Sequence, residues 1–526
     1  MVQALALSRS SLLPVSLATV RHSQCGLYAI GRYGTNQNLR IATTMVALSI
    51  RRRYIHSSTT RPSPPADQST LSAAVTSVNH IPAQVTTESP PMPKPAPLSV
   101  LPLSTVLRNL ATTSISSSPV LLPPSLAIMN VLAHSNRAIF NPDKNPLLRW
   151  FLKKTFYAQF CAGENALEVR RTIDGLNKIG FTGVILGYAR EIVLTEAQTK
   201  NLSACDSGPV AEECVRNEIG PWAAGTLETV RLARSSDFVA LKFSGAGRQA
   251  LYALKNRLPP PKELRKAIDE ICNLAAERDV PLLFDAEQTA VQAGIDDWTL
   301  EYQRKHNTTP GHAVIYGTYQ AYLKSTPATL SSHLATAAKE GFTLGIKLVR
   351  GAYLGADPRH IIHDTKADTD AAYNGIAESL ICRQWSPALP APADAPDTPF
   401  PRVSILLGSH NRDSVRRARE VRDSARADRG TELAIAQLQG MADEVSCELV
   451  CAAKGLAGEK GAEDRVKRDV PKAYKYIVWG TTGECMKYLL RRAHENRDAV
   501  ARTRSGRDAM WEEVKRRVGR RLGFAA

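Results

Sequence analysis

A strand that turns directly into a helix is predicted by the sequence YKYIVWGTTG at residues 474–483. Aromatic and β-branched residues alternate over its first five positions, which is typical of a strand. A helix is predicted from Cys485 to Asn496, and on it Arg491 and Arg492 precede Glu495 by four and three positions. Residues at those spacings share one face of a helix, so the three side chains are expected to lie together.

Two guanidinium groups beside one carboxylate suit a small zwitterionic ligand. Arginine binds carboxylates with two parallel hydrogen bonds, and a glutamate can face an ammonium group. An ordinary surface pair of Arg and Glu has the same spacing, and spacing alone favours that simpler interpretation. The rest of the chain has to decide between the two.

The same strand pattern recurs along the chain, with helical segments between the strands. The eight candidate strands are Thr182–Gly187, Phe238–Phe243, Pro281–Asp285, Val314–Tyr316, Thr343–Val349, Val403–Leu407, Leu433–Leu438 and Tyr474–Val478. The helical segments between them include Ala166–Lys178, Pro261–Arg278, Ala328–Lys339, Asp368–Ile381, Asp413–Ala427 and Asp443–Ala453. Alternating strands and helices pair in parallel through crossovers, and eight strands close a barrel. The predicted fold class is α/β, a (β/α)8 TIM barrel with a helical N-terminal extension.

Composition divides the remainder of the chain. The first 66 residues are rich in Ser and contain eight Arg and no Asp or Glu, which is the pattern of a mitochondrial import signal. A Pro-, Ser- and Thr-rich stretch follows that cannot bury a core. The predicted regions are a targeting presequence at 1–60, a disordered linker at 61–97, a helical extension at 98–160, a catalytic barrel at 161–505 and a basic amphipathic helix at 506–526. The stretches 195–220 and 384–402 are predicted as surface inserts.

The net charge of +17 is in part a property of the amino-terminal signal. It comes without a basic stripe interleaved with aromatic residues and without zinc-ligand spacing, so we predict neither nucleic-acid binding nor a metal site. No apolar run is long enough to predict a transmembrane helix. The carboxyl-terminal helix carries apolar residues on one face and basic residues on the opposite face. This pattern fits either binding to an anionic membrane surface or packing on the barrel. Its apolar positions are Met510, Trp511, Val514, Val518 and Leu522.

Polar residues collect where the predicted strands end, which is where a barrel of this type carries its chemistry. They include Lys242, Asp285, Gln320, Lys347, Tyr353, His410, Asn411, Gln437, Gln439 and Tyr476. A lysine in a barrel mouth needs a counter-charge, so Asp285 is a candidate partner for Lys242, although a snorkelling surface lysine gives the same pattern. The motif GAGRQA at residues 245–250 suggests a dinucleotide fold. We reject that interpretation because three prolines at 259–261 interrupt the crossover and the next acidic strand end comes too late.

Several of these motifs resemble those of mitochondrial proline dehydrogenase, especially its fungal form, over about residues 101–518. The strongest are GIKLVRGAY at 345–353 and LLRRAHEN at 489–496, supported by FDAE at 284–287, YQAY at 319–322, SHN at 409–411 and QLQGM at 437–441. The resemblance implies a distorted (β/α)8 barrel that holds FAD non-covalently. It also implies oxidation of L-proline to 1-pyrroline-5-carboxylate, with electrons passed to membrane ubiquinone. The expected location is the mitochondrial matrix side, peripheral to the inner membrane.

The resemblance assigns roles to individual residues. The substrate carboxylate is expected on Arg491 and Arg492, with Glu495 completing that helix face. The expected walls of the substrate site are Lys242, Asp285, Leu348, Tyr353, Leu438 and Tyr476, of which Lys242, Asp285, Tyr353 and Tyr476 are the candidate catalytic residues. The expected FAD contacts are Gln320, Lys347, Val349, Gly351, His410 and Asn411, with Lys366 as a further candidate. Bacterial members often carry Arg where Lys347 stands, and Tyr476 favours proline because the hydroxyproline enzyme has a smaller residue there.

Two other functions fit parts of the same pattern. A barrel lyase would form a Schiff base on Lys347 or Lys242, as an aldolase does. A non-catalytic matrix protein would use its basic surface for binding, although the retained substrate-site residues speak against that interpretation. Bound FAD distinguishes the dehydrogenase from both.

Overall fold

Eight parallel strands close into a barrel in the computed structural model of this chain. The strands are β1 Cys161–Gly163, β2 Gly183–Tyr188, β3 Phe238–Leu241, β4 Leu282–Phe284, β5 Ile315–Gln320, β6 Leu344–Val349, β7 Val403–Gly408, β8 Glu432–Leu438 and β9 Lys472–Trp479. Strands β2 to β9 pair in chain order, and β9 also pairs with β2, which closes the barrel. The TIM-barrel prediction and the eight predicted strands are confirmed. The short strand β1, which pairs with the end of β9, is not predicted by the sequence pattern.

The structure describes residues 96–190, 201–458, 469–498 and 500–523, and it describes side chains there except at 456–458, 495–498 and 500–502. The predicted presequence and nearly all of the predicted linker lie outside these ranges. The described residues all belong to one unit, Pro90–Ala526.

Helices cover the outside of the barrel and extend beyond it. The helices before β3 are α1 Leu103–Ser117, α2 Leu122–His134, α3 Pro146–Lys154, α4 Phe156–Phe160, α5 Ala166–Ile179, α6 Gly208–Cys214 and α7 Gly220–Leu232. Those from β3 to β7 are α8 Arg248–Lys255, α9 Lys262–Glu277, α10 Thr289–His306, α11 Thr326–Glu340 and α12 Lys366–Cys382. The last four are α13 Arg412–Asp423, α14 Asp443–Gly458, α15 Thr482–Asp498 and α16 Val500–Arg521.

Aromatic rings fill the lower part of the barrel. The Phe238 ring meets those of Tyr316 and Tyr474 edge-on, with centroids 5.6 and 5.1 Å apart. Leu283 and Leu406 are buried in the same cluster. This packing closes the barrel below its carboxyl-terminal mouth, so a ligand has access to the strand ends and not to the barrel centre.

Prolines begin two of the amino-terminal helices instead of interrupting them. Pro123 and Pro124 lie in the first turn of α2, and Pro146 is the first residue of α3. The first turn of a helix needs no backbone N–H from these positions, so proline is tolerated there. The chain therefore leaves helix before these prolines and begins a new helix at them.

The carboxyl-terminal helix α16 packs on α1 by one face and exposes another. Met510 is buried against Leu98 and Val106, and the Arg517 guanidinium donates hydrogen bonds to main-chain carbonyls including that of Leu101. Trp511, Val518 and Leu522 remain exposed. Both of the roles that the sequence leaves open are thus compatible with this helix.

The two predicted inserts carry structure of their own. Residues 215–219 form one π-helical turn that runs into α7, and the buried Glu218 receives a hydrogen bond from Arg248 Nε at 2.6 Å. In the second insert, the rings of Trp385 and Phe400 pack 4.7 Å apart and Leu389 is fully buried.

In the described part of the chain, no single helix has the length and apolar character needed to cross a membrane. Helices α1 and α2 reach that character only when taken together, and they meet at a bend of 106°.

Candidate active site at the barrel mouth

Strand alternation places three of the predicted site residues on the inner wall of the barrel. Successive side chains of a strand point to opposite faces. Tyr476 follows the inward-facing Tyr474 by two positions, and Asp285 follows Leu283 in the same way. In β6, Lys347 is aligned with the inward-facing Leu406 of β7. Each of these strands therefore ends with a polar side chain at the mouth.

The centre of the mouth is a triad of the buried Lys347 and Asp285 with the half-buried Tyr476. Lys347 Nζ lies 2.5 Å from Asp285 Oδ1, and the Tyr476 hydroxyl donates to Asp285 Oδ2 at 3.1 Å. The Lys347 ammonium also lies 5.3 Å from the centre of the Tyr476 ring. The side chains of the ion pair are only 9% and 8% exposed. A carboxylate at this depth needs both partners, because an unpaired buried charge is strongly unfavourable.

Two features fix Tyr476 in this position. A side chain on Gly187 of β2 would place its Cβ 3.1 Å from the Tyr476 hydroxyl, so glycine leaves the space that the phenol occupies. Burial, reinforced by the nearby Asp285 carboxylate, raises the pKa of Tyr476 well above its usual range. The hydroxyl therefore stays protonated and acts as a hydrogen-bond donor.

A small cavity of about 30 Å³ lies beside the triad, between the ends of β2, β3 and β9 and helix α15. Its lining includes three predicted residues, Lys242, Tyr476 and Arg491, and the aromatic residues Tyr188, Trp222 and Tyr488. The indole of Trp222 donates to the Lys242 carbonyl at 3.0 Å, which holds the end of β3 against α7. The two Asp285 oxygens bind Lys347 and Tyr476, so Lys347 is a counter-charge of this carboxylate.

The start of α15 is anchored on both sides, which sets the direction of its arginines. Glu164 accepts hydrogen bonds from the main-chain N–H and the hydroxyl of Thr482, at 2.8 and 2.6 Å. Asp143 accepts from the N–H of Gly483 at 2.9 Å. Carboxylates at a helix N-terminus satisfy its free N–H groups and favour its dipole. The amino-terminal extension therefore helps to position the helix that carries the predicted carboxylate clamp.

The two predicted clamp residues have different surroundings. Arg491 lines the cavity, whereas the Arg492 guanidinium lies 5.2 Å from the centre of the Tyr488 ring and its residue is 9% exposed. The backbone of Glu495 lies in α15, but its side chain is outside the described part of the structure. The structure thus places one arginine in the cavity lining and packs the other on Tyr488, which also lines the cavity.

The predicted flavin contacts at the ends of β5 and β6 lie together. Gln320 pairs with Val349 across the two strands, and Gln320 Oε1 accepts from the main chain of Ala352 at 3.0 Å. The Gln320 Nε2 group is buried and has no hydrogen-bond partner among the described residues. Gly351 lies in the loop that follows β6. It has a φ of +152°, and its backbone passes against the Tyr322 ring. A buried amide donor without a protein partner is a position for a ligand acceptor.

Three predicted residues at β7 and β8 have clear structural partners. The Leu438 N–H donates to His410 Nε2 at 3.1 Å, which ties together the ends of β7 and β8. The Asn411 side chain caps α13 by accepting from Ser414 at 3.0 Å. His410 and Asn411 both remain at the mouth, where their main-chain groups and their other side-chain groups can meet a cofactor.

The last predicted flavin residue lies on the outer edge of the site. Lys366 is the first residue of α12 and is largely exposed. Its ammonium binds Asp370 at 2.6 Å, and Asp370 also pairs with Arg350 at the end of β6. Lys366 is therefore linked to the mouth through a carboxylate and an arginine.

Of two further residues predicted to wall the substrate site, Tyr353 lies at the mouth and Leu348 does not. Leu348 alternates with the inward-facing Lys347 and is fully buried in the core between the barrel and its helices. The structure therefore does not bring it into the mouth, because it lies on the outer face of β6. The Tyr353 hydroxyl reaches the Ala286 carbonyl at 3.4 Å, so Tyr353 lies across the end of β4 next to Asp285.

Several mouth residues are not predicted from the sequence. The loop after β6 is held by Tyr322, which donates to Asp357 Oδ2 at 2.5 Å, while Asp357 Oδ1 accepts from the N–H of Thr289 at 3.2 Å. Glu287 accepts from the N–H of Ser244 at 2.9 Å, and burial raises its pKa. The motif FDAE contains Glu287, so its place two positions after an inward-facing aspartate is the signal that could have identified it. Asp357 has no comparable signal, since it lies in a loop.

The part of the chain that forms this mouth matches a known protein family. The profile of the family described as Proline dehydrogenase matches residues 169–505, which include the strand ends from β2 to β9 and helix α15. The chain belongs to the proline dehydrogenase family. It is therefore an oxidoreductase that acts on proline.

Relatives of the proline dehydrogenase family cover different shares of the chain. A Schizosaccharomyces pombe protein named "Probable proline dehydrogenase, mitochondrial" is 29% identical over 79% of this chain and 89% of its own length. The human "Proline dehydrogenase 1, mitochondrial" is 30% identical over 51% of this chain and 42% of its own. Among solved structures, proline utilization A from Bdellovibrio bacteriovorus has a TM-score of 0.51 and 18% identity, over 76% of this chain and 41% of that one. This structural similarity supports the fold.

Proposed function

We propose that this member of the proline dehydrogenase family oxidises L-proline to 1-pyrroline-5-carboxylate with non-covalently bound FAD. The observation that carries the proposal is the triad Lys347–Asp285–Tyr476 beside a cavity lined by Arg491. It combines a fixed cation, a neutral donor and a carboxylate-binding group within one barrel mouth. These are the groups needed to orient a small amino acid.

Substrate orientation is assigned to helix α15. The Arg491 guanidinium binds the proline carboxylate, and Arg492, packed on the Tyr488 ring, adds positive charge to the same helix. Glu495 completes this helix face. A carboxylate held in this way fixes the ring and directs the methylene carbon bonded to nitrogen, not the carbon that bears the carboxylate, toward the barrel axis, as a near-attack arrangement requires.

The reaction removes a hydride from that ring carbon and a proton from the ring nitrogen, which leaves a C=N double bond. FAD supplies the two-electron acceptor when it is bound. With FAD bound, the Lys347 ammonium would supply a fixed positive charge that favours the reduced cofactor, and Tyr476 with Tyr353 would close the substrate side. Asp285 holds Lys347 and Tyr476 in these positions.

The residues at the ends of β5, β6 and β7 fit a flavin. The partnerless amide of Gln320 offers a buried donor, and Lys347 offers a charge. Val349 and Gly351 line the approach to the same strand ends, His410 and Asn411 close it from β7, and Lys366 reaches its outer edge through Asp370. Lys242 and Leu438 then wall the substrate from the other strands.

The electron acceptor is proposed to be membrane ubiquinone, which the protein reaches from the matrix side of the mitochondrial inner membrane as a peripheral protein. The relatives from S. pombe and human are both named mitochondrial. The acid-free, Arg-rich first 66 residues support the same location.

The Schiff-base lyase is the less favourable alternative for this mouth. A Schiff base on Lys347 would break its 2.5 Å contact with Asp285 and leave that carboxylate buried with Tyr476 as its remaining partner. The lyase needs no acceptor for two electrons, so it also leaves the buried amide of Gln320 without a ligand.

The visible spectrum of the purified full-length protein tests the proposal. We expect a flavin spectrum, release of free FAD on denaturation, and reduction of a soluble dye that depends on L-proline. A protein that binds no FAD under any condition would overturn the proposal. Trapping of a lysine adduct by borohydride with a carbonyl substrate would favour the lyase instead.

A further inference from the structure

An apolar surface lies on the amino-terminal helices, outside the barrel. Most of the exposed large apolar side chains in the described part of the chain occur between residues 103 and 167. Six of them define what we call the α2–α3 face: Ile128, Val131, Ile139, Leu147, Trp150 and Phe151. Large contiguous apolar patches on a protein surface mark interaction sites.

Helix α3 carries exposed apolar side chains along one of its sides. Leu147, Trp150 and Phe151 are 74%, 60% and 53% exposed, and their spacing puts them on one side of the helix. The opposite side buries Leu152. The helix is only nine residues long, yet it presents three large apolar groups to solvent.

The turn before α3 adds Ile139 to the same surface. The Asn145 side chain caps α3 by accepting from the N–H of Leu147 at 3.1 Å, and it donates to the Ile139 carbonyl at 3.0 Å. One side chain therefore holds Ile139 next to Leu147. Exposed apolar residues in an anchored turn and a capped helix form a preorganised surface.

The inner sides of α2 and α3 pack on one cluster. Met129 of α2 and Leu152 of α3 are buried with Met486 and Leu489 of α15. Helix α15 carries Arg491, so the α2–α3 face is separated from the proposed substrate site by one layer of helix.

The charged residues of this segment are mostly basic, and the two carboxylates that reach α3, Glu164 and Glu168, are both paired with Lys153. Between residues 97 and 163 the sequence contains a single acidic residue, Asp143, and it is engaged with the N–H of Gly483. Arg137, Lys144 and Lys154 are exposed along the same segment. A basic rim around an apolar, tryptophan-containing face is complementary to an anionic lipid surface.

We propose that the α2–α3 face docks the protein on an anionic lipid bilayer. The aliphatic and aromatic side chains enter the boundary between headgroups and acyl chains, while the three basic residues meet the anionic headgroups. Docking here would bring the helix layer behind the substrate site to the membrane. The assignment deepens the proposed function, since a membrane quinone is useful as an acceptor only to a protein held at the bilayer.

Vesicle sedimentation with the full-length protein tests the assignment. The vesicles contain phosphatidylcholine alone or mixed equally with phosphatidylglycerol. Combined replacement of Leu147, Trp150 and Phe151 by Ser should lower the partition coefficient on the mixed vesicles at least about tenfold, because each buried apolar side chain contributes substantially to transfer. Replacement of Arg137, Lys144 and Lys154 by Gln should remove most of the preference for the anionic lipid.

The carboxyl-terminal helix offers a matched control. Trp511, Val518 and Leu522 are also exposed on a basic helix, and they are replaced by Ser in the same way. If this control abolishes binding and the α3 variant binds as the native protein does, the proposed surface is wrong. A lipid-free dimer that the α3 substitutions convert to a monomer would show that a second copy covers the face, and would equally overturn the proposal. So would increased proteolysis of residues 1–95 in the lipid-free α3 variant, since the chain's own amino terminus would then be the occupant.

Turnover separates this proposal from the proposed function. The α3 variant should keep its proline-dependent reduction of a soluble dye and lose reduction of ubiquinone embedded in the vesicles. Absence of dye reduction in the native protein would defeat the function but leave the vesicle result as a test of the surface. Equal vesicle binding of native protein and α3 variant would defeat the surface, whatever the turnover.

Discussion

Two buried Lys–Asp pairs lie on opposite sides of the barrel wall at β9. One contacts Tyr476 from inside the barrel, and the other includes the preceding residue, Lys475, on the outside. Inside the barrel, the pair of Lys347 and Asp285 contacts Tyr476. Outside it, Lys475 pairs with Asp443 at the start of α14. Both pairs have an N–O distance of 2.5 Å, so the ion pairs themselves do not explain why one belongs to a catalytic mouth and the other to the scaffold.

The difference lies in the remaining hydrogen-bond partners. Lys475 also donates to the Met441 carbonyl at 3.1 Å, and Asp443 Oδ2 accepts from Asn109 of α1 at 2.7 Å. Among the described residues, Lys347 Nζ donates only to Asp285. The outer lysine has two protein acceptors and the inner lysine has one, so the inner ammonium keeps more donor capacity for a ligand. Buried charge stabilises the scaffold where it is fully satisfied and can serve a ligand where it is not.

The largest expected effect is on stability, at the outer pair. Lys475→Met leaves Asp443 buried without its counter-charge, which should lower the free energy of unfolding by about 3–5 kcal/mol. Adding Asp443→Asn should recover much of this loss, because Asn still accepts from Asn109. Denaturant unfolding of the FAD-loaded proteins measures both values. A single variant as stable as the native protein would mean that the outer pair does not hold the scaffold.

The inner pair should respond in turnover. Lys347→Met with Asp285→Asn keeps an acceptor for the Tyr476 hydroxyl but removes the fixed charge, so kcat should fall about 100- to 1,000-fold. The matched outer variant, Lys475→Met with Asp443→Asn, should keep native turnover in its folded fraction. Steady-state assays with L-proline and a soluble dye compare the two. Similar losses in both would contradict the distinction between site and scaffold.

Replacing each of the two arginines of α15 should change the KM for proline by a different amount. Arg491→Met should raise the KM for proline about ten- to a hundred-fold, the value of a lost charge-assisted contact. Arg492→Met should have the smaller effect, because that guanidinium lies on the Tyr488 ring. Arg257→Met, which loses only a surface pair with Asp297, is the control. Unchanged KM and unchanged affinity for a carboxylated ring analogue in both α15 variants would place the carboxylate elsewhere.

The smallest effect is expected for the Tyr476 hydroxyl. Tyr476→Phe removes one hydrogen bond to Asp285, worth about 1 kcal/mol, so kcat/KM should fall about fivefold. Because burial raises the pKa of Tyr476, the native hydroxyl stays protonated through the ordinary range of tyrosine ionisation. The native and Phe proteins should therefore show parallel pH profiles up to about pH 10. An alkaline loss of activity that disappears in the Phe variant would contradict this protonation state.

The barrel is predictable from the sequence because its signal is repeated. Each strand is a short apolar run, and each is followed by a helical segment of suitable length. The strand β1 escapes prediction because three residues, Cys161–Gly163, are too few to show alternation. The packing of α1 on α16 escapes it for another reason, since nothing local in either helix specifies a partner about 400 positions away.

The site is predictable in its membership and less so in its pairings. Asp285, Lys347 and Tyr476 can be chosen because they end strands or belong to motifs of the family. That Lys347 takes the Asp285 carboxylate is a consequence of strand register, which sequence patterns do not give. The placement of Leu348 follows from alternation alone, since a residue next to an inward-facing lysine must face outward.

The rate at which L-proline bleaches the flavin absorbance without oxygen is the most direct test of the account. The native protein and the outer variant, Lys475→Met with Asp443→Asn, should be bleached at the same rate. The inner variant, Lys347→Met with Asp285→Asn, should be bleached about 100-fold more slowly or not at all. Equal bleaching of an FAD-loaded inner variant and the native protein would contradict the central claim that this triad builds the site of proline oxidation.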